Sequence, residues 1–501
     1  MDWGLIPQHL TDSVMDLLSY NPQQPMIFSS GIFLFLFTAF VLIYGLLRRF
    51  PSPRILYVVA FSLYFYYKSS GHYFGLLIFA SLSDYTLAQY IYHSRSQRLR
   101  KILVVLSVLI NIGMLGYFKY TNFFIDIANN IFGSGFLEFQ NIFLPVGVSF
   151  FVFQSLSYTI DIYRRRLKPL DSWTDYLFYL SFFPQLVAGP IVRASDFIPQ
   201  IRKPLYVSRQ MFGRAIFLII CGLFKKAVIS DYISLNFVDR IFDDPLLYSG
   251  FESLMAIYGY ALQIYCDFSG YSEMAIGLAL LLGFHFPPNF NAPYKSATIT
   301  EFWRRWHISL SSWLRDYLYI SLGGNRKGRG RTYINLMITM LLGGLWHGAA
   351  VRFILWGGLH GVALALHKLW MTIFPSAKES GSDMNPIMRL IGVVITFHIV
   401  CLGWLMFRAE SMQIVTEMLS QIFTNFNTSI AQQFIFGYKE FCILMCIGYT
   451  LHFMPQSLSS KACGVITRSP FIVQILYVAL TIWLVMQVKS SDIQPFIYFQ
   501  F

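Results

Sequence analysis

A histidine set between glycines inside an apolar run has the clearest chemical content of any segment in this 501-residue chain. The run reads Leu341-Leu342-Gly343-Gly344-Leu345-Trp346-His347-Gly348-Ala349-Ala350. An imidazole at membrane depth is costly to charge and needs polar partners, so it is a functional candidate by default. Burial keeps it neutral, and a neutral ring nitrogen can take the proton of a hydroxyl, which is general-base catalysis. The surrounding glycines and alanines would let a helix or a substrate approach closely. The plainer alternative is a structural histidine bonded to a backbone carbonyl. Forty residues earlier His307 lies in Phe302-Trp303-Arg304-Arg305-Trp306-His307-Ile308-Ser309. Together the two histidines suggest acyl transfer inside a bilayer, although His307 taken alone reads first as an interfacial packing residue.

Other residues carry weaker signals. Asp267 falls in a long apolar segment, so it must be paired, protonated or turned to a wet cavity. It could orient a histidine or pair with an arginine. The stretch Gly323-Gly324-Asn325-Arg326-Lys327-Gly328-Arg329-Gly330-Arg331 is glycine-rich and basic. It could contact the phosphates of a nucleotide cofactor, but it fits neither phosphate-loop pattern, and a plain cytoplasmic loop is the stronger reading. His360, in Gly357-Gly358-Leu359-His360-Gly361, echoes the setting of His347, and both it and His398 read first as structural. The six cysteines show no zinc-like or redox-like spacing, so no metal site is expected.

The elements that must position these residues are helices in a membrane. Hydrophobic residues make up 55% of the chain and charged residues 13%, against about 25% charged in a soluble domain. The net charge of +13 comes from Lys and Arg in short loops between apolar runs, which sets orientation rather than nucleic-acid binding. The expectation is one all-α polytopic domain over 1–501 with about 11–12 spans. Its first segment, Met26–Leu47, is a retained helix rather than a cleaved signal. Basic loops after it and after Tyr92 put the N-terminus outside. Further helices are expected over Ile55–Tyr67, Phe74–Tyr92, Ile102–Tyr120, Leu144–Ile160 and Met211–Ser230. Leu177–Val192, proline-broken and flanked by basic residues at both ends, is expected to be re-entrant, with a kinked hairpin helix as the alternative. Leu254–Phe284 should be interrupted at Asp267-Phe268-Ser269-Gly270-Tyr271-Ser272. In Glu301–Tyr319 the apolar residues Trp303, Trp306, Leu310, Trp313, Leu314 and Tyr317 recur at helical spacing, which predicts an amphipathic helix at the cytoplasmic face. Tyr333–Ala350, Phe353–Trp370, Ile387–Phe407, Phe441–Met454 and Phe471–Val488 complete the set.

At these motifs the chain resembles the membrane-bound O-acyltransferases. The likeness is to the bacterial branch that acetylates alginate or D-alanylates teichoic acid, with the wording of Phe302–Ser309 and Asn325-Arg326-Lys327 leaning to the alginate type. The matching stretches also include Leu144–Phe150, Gln185–Pro190, Asp267–Ser272, Arg315–Ile320, Gly344–Gly348, Cys401-Leu402-Gly403-Trp404 and Phe407-Arg408-Ala409. They span about 26–409, and the tail over 410–501 is less distinctive. The resemblance implies that His347 is the catalytic histidine and His307 a second active-site residue. It also implies a central intramembrane tunnel in which a cytoplasmic acyl donor meets an acceptor from the outer face. Acetyl-CoA is the expected donor, with Arg304, Arg305, Asn325, Arg326 and Lys327 as candidates to hold its phosphates. The implied partners are an extracytoplasmic acetyltransferase-like protein, membrane lipid and an exported polysaccharide, in a bacterial cytoplasmic (inner) membrane. Peptidoglycan or teichoic acid as acceptor stays open. A transporter would show broken helices in two related halves, and no such symmetry is present. A non-catalytic scaffold would be indifferent to loss of His347.

Overall fold

The computed structural model describes residues 18–22, 25–374 and 385–488; the expected outside placement of the N-terminus lies beyond the described residues. Within them the architecture is all-α, and the chain divides into two compact units, one over 1–206 with 282–284 and one over 207–281 with 285–501. Among the described residues three helices are long and apolar enough to cross a membrane: Gln97–Phe132, Pro386–Arg408 and Phe471–Val488. The pair Thr428–Gly437 and Lys439–Phe453, bent by 92°, adds a fourth if it is a single span.

The first unit begins with α1 (Gly31–Leu47), whose start is set by Ser30, its hydroxyl accepting from the Phe33 amide. The helices α2 (Pro51–Ser70), α3 (Phe74–His93), α4 (Gln97–Leu115), α5 (Thr121–Phe132) and α6 (Val148–Tyr163) follow. Between α4 and α5 a single π-turn, Gly116–Tyr120, keeps the helix running 12 residues past the expected end at Tyr120. Asp84 is fully buried and satisfied by Ser107 at 2.6 Å, Asn111 at 2.8 Å and Ser155. Those partners come from α4 and α6, so one carboxyl ties three helices together.

The segment expected to be re-entrant is broken as its prolines require. It forms α7 (Trp173–Ser181) and the single turn α8 (Phe183–Leu186), followed by irregular backbone to Arg193. Every residue from Asp175 to Val192 is buried in the unit, which is the condition for irregular backbone at membrane depth. Phe183 anchors the break among Phe28, Phe33, Phe37, Phe40, Phe61 and Phe65. Gly147, at φ 77°, packs on the same segment, where a β-carbon would lie 2.5 Å from the Leu186 carbonyl oxygen. This accounts for the glycine in the Leu144–Phe150 stretch. The short helix α9 (Ala194–Ile201) ends the run.

The second unit is organised on α11 (Gly250–Leu281), a 32-residue helix that packs along α10 (Arg209–Leu223). Contrary to expectation, α11 runs unbroken through Asp267–Ser272. The glycine there serves helix approach: a β-carbon on Gly270 would lie 2.8 Å from the Gly222 carbonyl oxygen, and one on Gly222 2.5 Å from that of Gly270. After α10 the chain winds through two π-turns, Phe224–Ser230 and Ser234–Val238. The first of these carries Lys226 inward to Asp267 at 2.5 Å and Asp231 at 2.8 Å. Asp267 therefore pairs with a lysine rather than an arginine or a histidine.

Two short helices, α12 (Ile299–Arg305) and α13 (Ile308–Trp313), precede a hairpin of α14 (Arg329–His347) and α15 (Val351–Ile373). After it in the chain come α16 (Pro386–Arg408), α17 (Met412–Thr424), α18 (Lys439–Phe453), α19 (Gln456–Arg468) and α20 (Phe471–Val488). The α14–α15 backbones touch: a β-carbon on Gly344 would lie 2.2 Å from the Phe353 carbonyl oxygen, and one on Gly357 2.3 Å from that of Met340. Only glycine allows that approach.

Candidate functional site

His347 is the last residue of α14, so the Gly348–Ala350 turn into α15 determines where its ring goes. It is 3% exposed, with ring neighbours from three elements: Trp346 at 4.9 Å, Trp356 of α15 at 4.9 Å and Phe407 of α16 at 5.3 Å. Gly348 faces the ring of Phe353, where a β-carbon would clash at 1.9 Å. The glycines flanking this histidine are therefore packing requirements of its turn.

His307 differs most from the sequence expectation. The single amphipathic helix predicted over Glu301–Tyr319 is broken here, with His307 at φ 43° and ψ 55° between α12 and α13. A non-glycine residue in the left-handed region costs of order 1–3 kcal/mol and is found where the surroundings impose it. Those surroundings are the loop after α11. The Asn289 carbonyl oxygen accepts from the Ile308 amide at 2.9 Å. Its side-chain oxygen accepts from the Ser309 amide at 3.2 Å and hydroxyl at 2.8 Å, while its amide nitrogen donates to Ser272 at 3.2 Å. Helix α12 enters this turn through Thr298, whose hydroxyl caps Glu301, and Glu301 accepts in return from the Ala297 amide at 2.9 Å. The outcome is a fully buried imidazole, 4.6 Å from the Phe268 ring, not an interfacial one.

The two histidines meet across one side chain. Trp346 is centred 6.2 Å from His307 and 4.9 Å from His347. Two imidazoles held by separate elements, kept from water and sharing one indole neighbour can handle one proton between a hydroxyl and a leaving group.

A family model described as the membrane-bound O-acyltransferase family matches residues 63–407, a span that contains both histidines. The chain belongs to that family. It is thus a membrane-bound, polytopic, all-α O-acyltransferase. It is 39% identical over 407 residues to the probable alginate O-acetylase AlgI of Pseudomonas aeruginosa, covering 80% of this chain and 75% of that protein. To the peptidoglycan O-acetyltransferase of Helicobacter pylori it is 35% identical over 424 residues, 79% of each. To the teichoic acid D-alanyltransferase of Bacillus subtilis it is 28% identical over 283 residues, 54% of this chain and 70% of that one.

The basic residues of this acyltransferase divide. Arg305 is held by Glu301 at 2.8 Å and donates to the Asn291 carbonyl, while Arg304 is exposed. Asn325, Arg326 and Lys327 are exposed on the loop before α14. That loop is pinned by Asn335, whose side chain donates to the Gly324 carbonyl at 2.9 Å, and it turns on Gly323, Gly324 and Gly328 at positive φ. Sequence reasoning did not single out Asn289 or Trp356, and no local pattern marks either. His360, read first as structural and otherwise as a residue that could line the same cavity as His347, lies 4.7 Å from the Trp356 ring.

Proposed function

We propose that this acyltransferase moves an acetyl group from acetyl-CoA on the cytoplasmic side to a hydroxyl presented from the outer side of a bacterial inner membrane that it crosses several times. The product is an O-acetylated exported polysaccharide of the alginate kind, reached through an extracytoplasmic partner protein. His347 removes the proton as the acceptor oxygen bonds to the acetyl carbon. The C–S bond then breaks, and the thiolate leaves with the proton that His347 held. His307, across Trp346, orients the thioester or the acceptor. Arg304, Arg305, Asn325, Arg326 and Lys327 supply cationic and amide donors for the phosphates of the donor.

The observation that carries this reading is the pair of buried histidines sharing one tryptophan neighbour. Similarity over four-fifths of the chain to a probable alginate O-acetylase supports the choice of polymer. Peptidoglycan is the second reading, favoured by the likeness to the Helicobacter pylori enzyme.

The test is surface O-acetyl content of a deletion strain complemented with wild type, His347→Ala or His307→Ala at matched membrane levels. Acetylation restored by wild type alone supports the reading, and the polymer that regains acetyl names the acceptor. Full restoration by His347→Ala removes His347 from the mechanism.

A further inference from the structure

The second unit carries a surface groove for which the reaction above gives no role. It encloses about 470 Å³ between α16 and α18, walled by Leu390, Val394 and Phe397 on one side and by Met445 and Phe453 on the other. Tyr258 of α11 completes the lining. The polar groups along it are spent on one another. A carbonyl can only accept, so His398 Nδ1–H donates to the Val394 carbonyl at 2.8 Å, and Nε2 accepts from the Tyr258 hydroxyl at 2.8 Å. The Tyr449 hydroxyl donates to the Tyr258 carbonyl at 2.9 Å. The groove therefore offers a guest only apolar surface, which disfavours a sugar, a nucleotide or a polar peptide.

Its depth in a bilayer follows from α16, a helix long and apolar enough to cross one. Leu390 is the fifth residue of that helix and His398 the thirteenth of 23, so the groove runs from near one end to the middle. The rise from Leu390 to His398 is about 12 Å. One leaflet supplies ~15 Å of a hydrocarbon core about 30 Å thick, so the groove has the depth of a single acyl chain.

The end of the groove nearer the start of α16 is charged. Arg389 directly precedes Leu390 and lies one turn before Val393. Across from it Lys295 donates to the carbonyl of Met454, the residue after Phe453, at 2.7 Å. The loop bearing Lys295 is seated against this end of α16, since a β-carbon on Gly392 would lie 2.6 Å from the Ala297 carbonyl oxygen. Arg389 and Arg305 share Glu301 at 3.7 and 2.8 Å. Among these described groups three positive charges thus face one carboxylate.

We propose that this groove binds an anionic phospholipid, with one acyl chain between α16 and α18 and the phosphate against Arg389 and Lys295. Basic residues beside a cleft between membrane helices attract such a headgroup by charge, and the chain adds apolar burial. A zwitterionic lipid fits the cleft equally well but lacks the net attraction. The same helix supplies Phe407, a ring neighbour of His347, so the lipid sits on an element of the site.

The experiment places purified full-length protein in phosphatidylcholine nanodiscs containing a trace of photoreactive phosphatidylglycerol, with a diazirine midway along one acyl chain. After irradiation, peptide mapping locates the label. Wild type should be labelled between Leu390 and His398 or between Met445 and Phe453. Added unlabelled phosphatidylglycerol should compete this label away, and inorganic phosphate should not. Arg389→Gln and Lys295→Gln should each lower it about fivefold, the share of one cation near a membrane surface. Val394→Trp, at a residue 48% exposed, fills the groove without entering the core and should abolish it. Equal labelling by a photoreactive phosphatidylcholine, or wild-type labelling of both charge variants, would mark bulk lipid and overturn the proposal. Label confined to other helices would overturn it too. The competition arm and the lipid comparison use wild-type protein alone, so a variant that misfolds leaves the decision intact. The readout is binding, and the acyl-transfer reading stands or falls separately.

Discussion

Asn289 grips the backbone on the far side of His307 through Ser309: its side-chain oxygen accepts from the Ser309 amide at 3.2 Å and from the hydroxyl at 2.8 Å. Because Asn289 also donates to Ser272 of α11, the helix carrying Phe268 and the turn carrying His307 are fixed to each other by one amide. Replacing Asn289 with Ala should cost about 1–3 kcal/mol of stability by leaving buried partners unpaired. The effect on rate should be larger than that loss suggests, since displacing a reacting group by about 1 Å can cost roughly 10²-fold. Melting temperature and the rate of acetyl transfer from acetyl-CoA, measured on one preparation, separate the two. An equal rate at a lowered melting temperature would remove Asn289 from the positioning of His307.

His307 allows backbone strain and chemistry to be separated at a single position. At φ 43° glycine is comfortable and a β-branched residue is not. His307→Gly trades the backbone strain for the cavity left by a fully buried ring, so it should fold more stably than His307→Val yet fail to restore acetylation. His307→Val should lose both. Thermal unfolding of the purified variants, set beside surface acetylation, decides it. Acetylation by His307→Gly at the wild-type level would leave the imidazole without a role.

The hairpin behind His347 depends on two glycines in different ways. Gly344→Ala pushes a methyl into the Phe353 carbonyl at 2.2 Å, and such overpacking costs about 1–3 kcal/mol. On the facing helix Gly358 has Leu341 as its nearest neighbour at 3.7 Å, so Gly358→Ala should be neutral or slightly stabilising. Detergent melting curves of the pair make the comparison. Equal stability of the two variants would contradict the close approach of α14 and α15.

Lys226 lies between Asp267 and Asp231, and its side chain and that of Asp267 are each 3% exposed. Removing one member of a buried ion pair costs about 3–5 kcal/mol, because the other charge stays behind. Lys226→Met should therefore express poorly, and adding Asp267→Asn should recover part of the folded yield. Folded yield by fluorescence-detected size-exclusion is the readout. No recovery in the double variant would place the burden on Asp231 instead.

Much of the helical layout follows from local rules. The span Phe471–Val488 coincides with its apolar run, and Ile387–Phe407 differs from the observed Pro386–Arg408 by one residue at each end. Both are long, apolar and bounded by proline or charge, so nothing distant competes with them. The broken backbone over Leu177–Val192 was legible for a similar reason, since proline acts within its own turn. The count and placement of π-turns were not legible. At Lys226 a widened turn carries the lysine inward to Asp267, and its partner lies 41 residues away.

The sequence by itself determined the class of this protein, its family and the two histidines worth testing. Composition, hydropathy and the wording of short motifs are properties of the chain, independent of how it packs. Only the tertiary structure decided that His307 leaves the helix its neighbours predict, because the hydrogen bonds that bend it are made to Asn289, 18 residues earlier and on the other side of α12. It likewise decided that Gly403 lets its helix lie directly against the rings of Trp356 and His360, more than 40 residues earlier in the chain. Local propensity acts over a turn or two, whereas a site of this kind is made by side chains from different helices sharing the same few ångströms. Which residues meet there is set by how closely the backbones pack, and that is a property of the folded state.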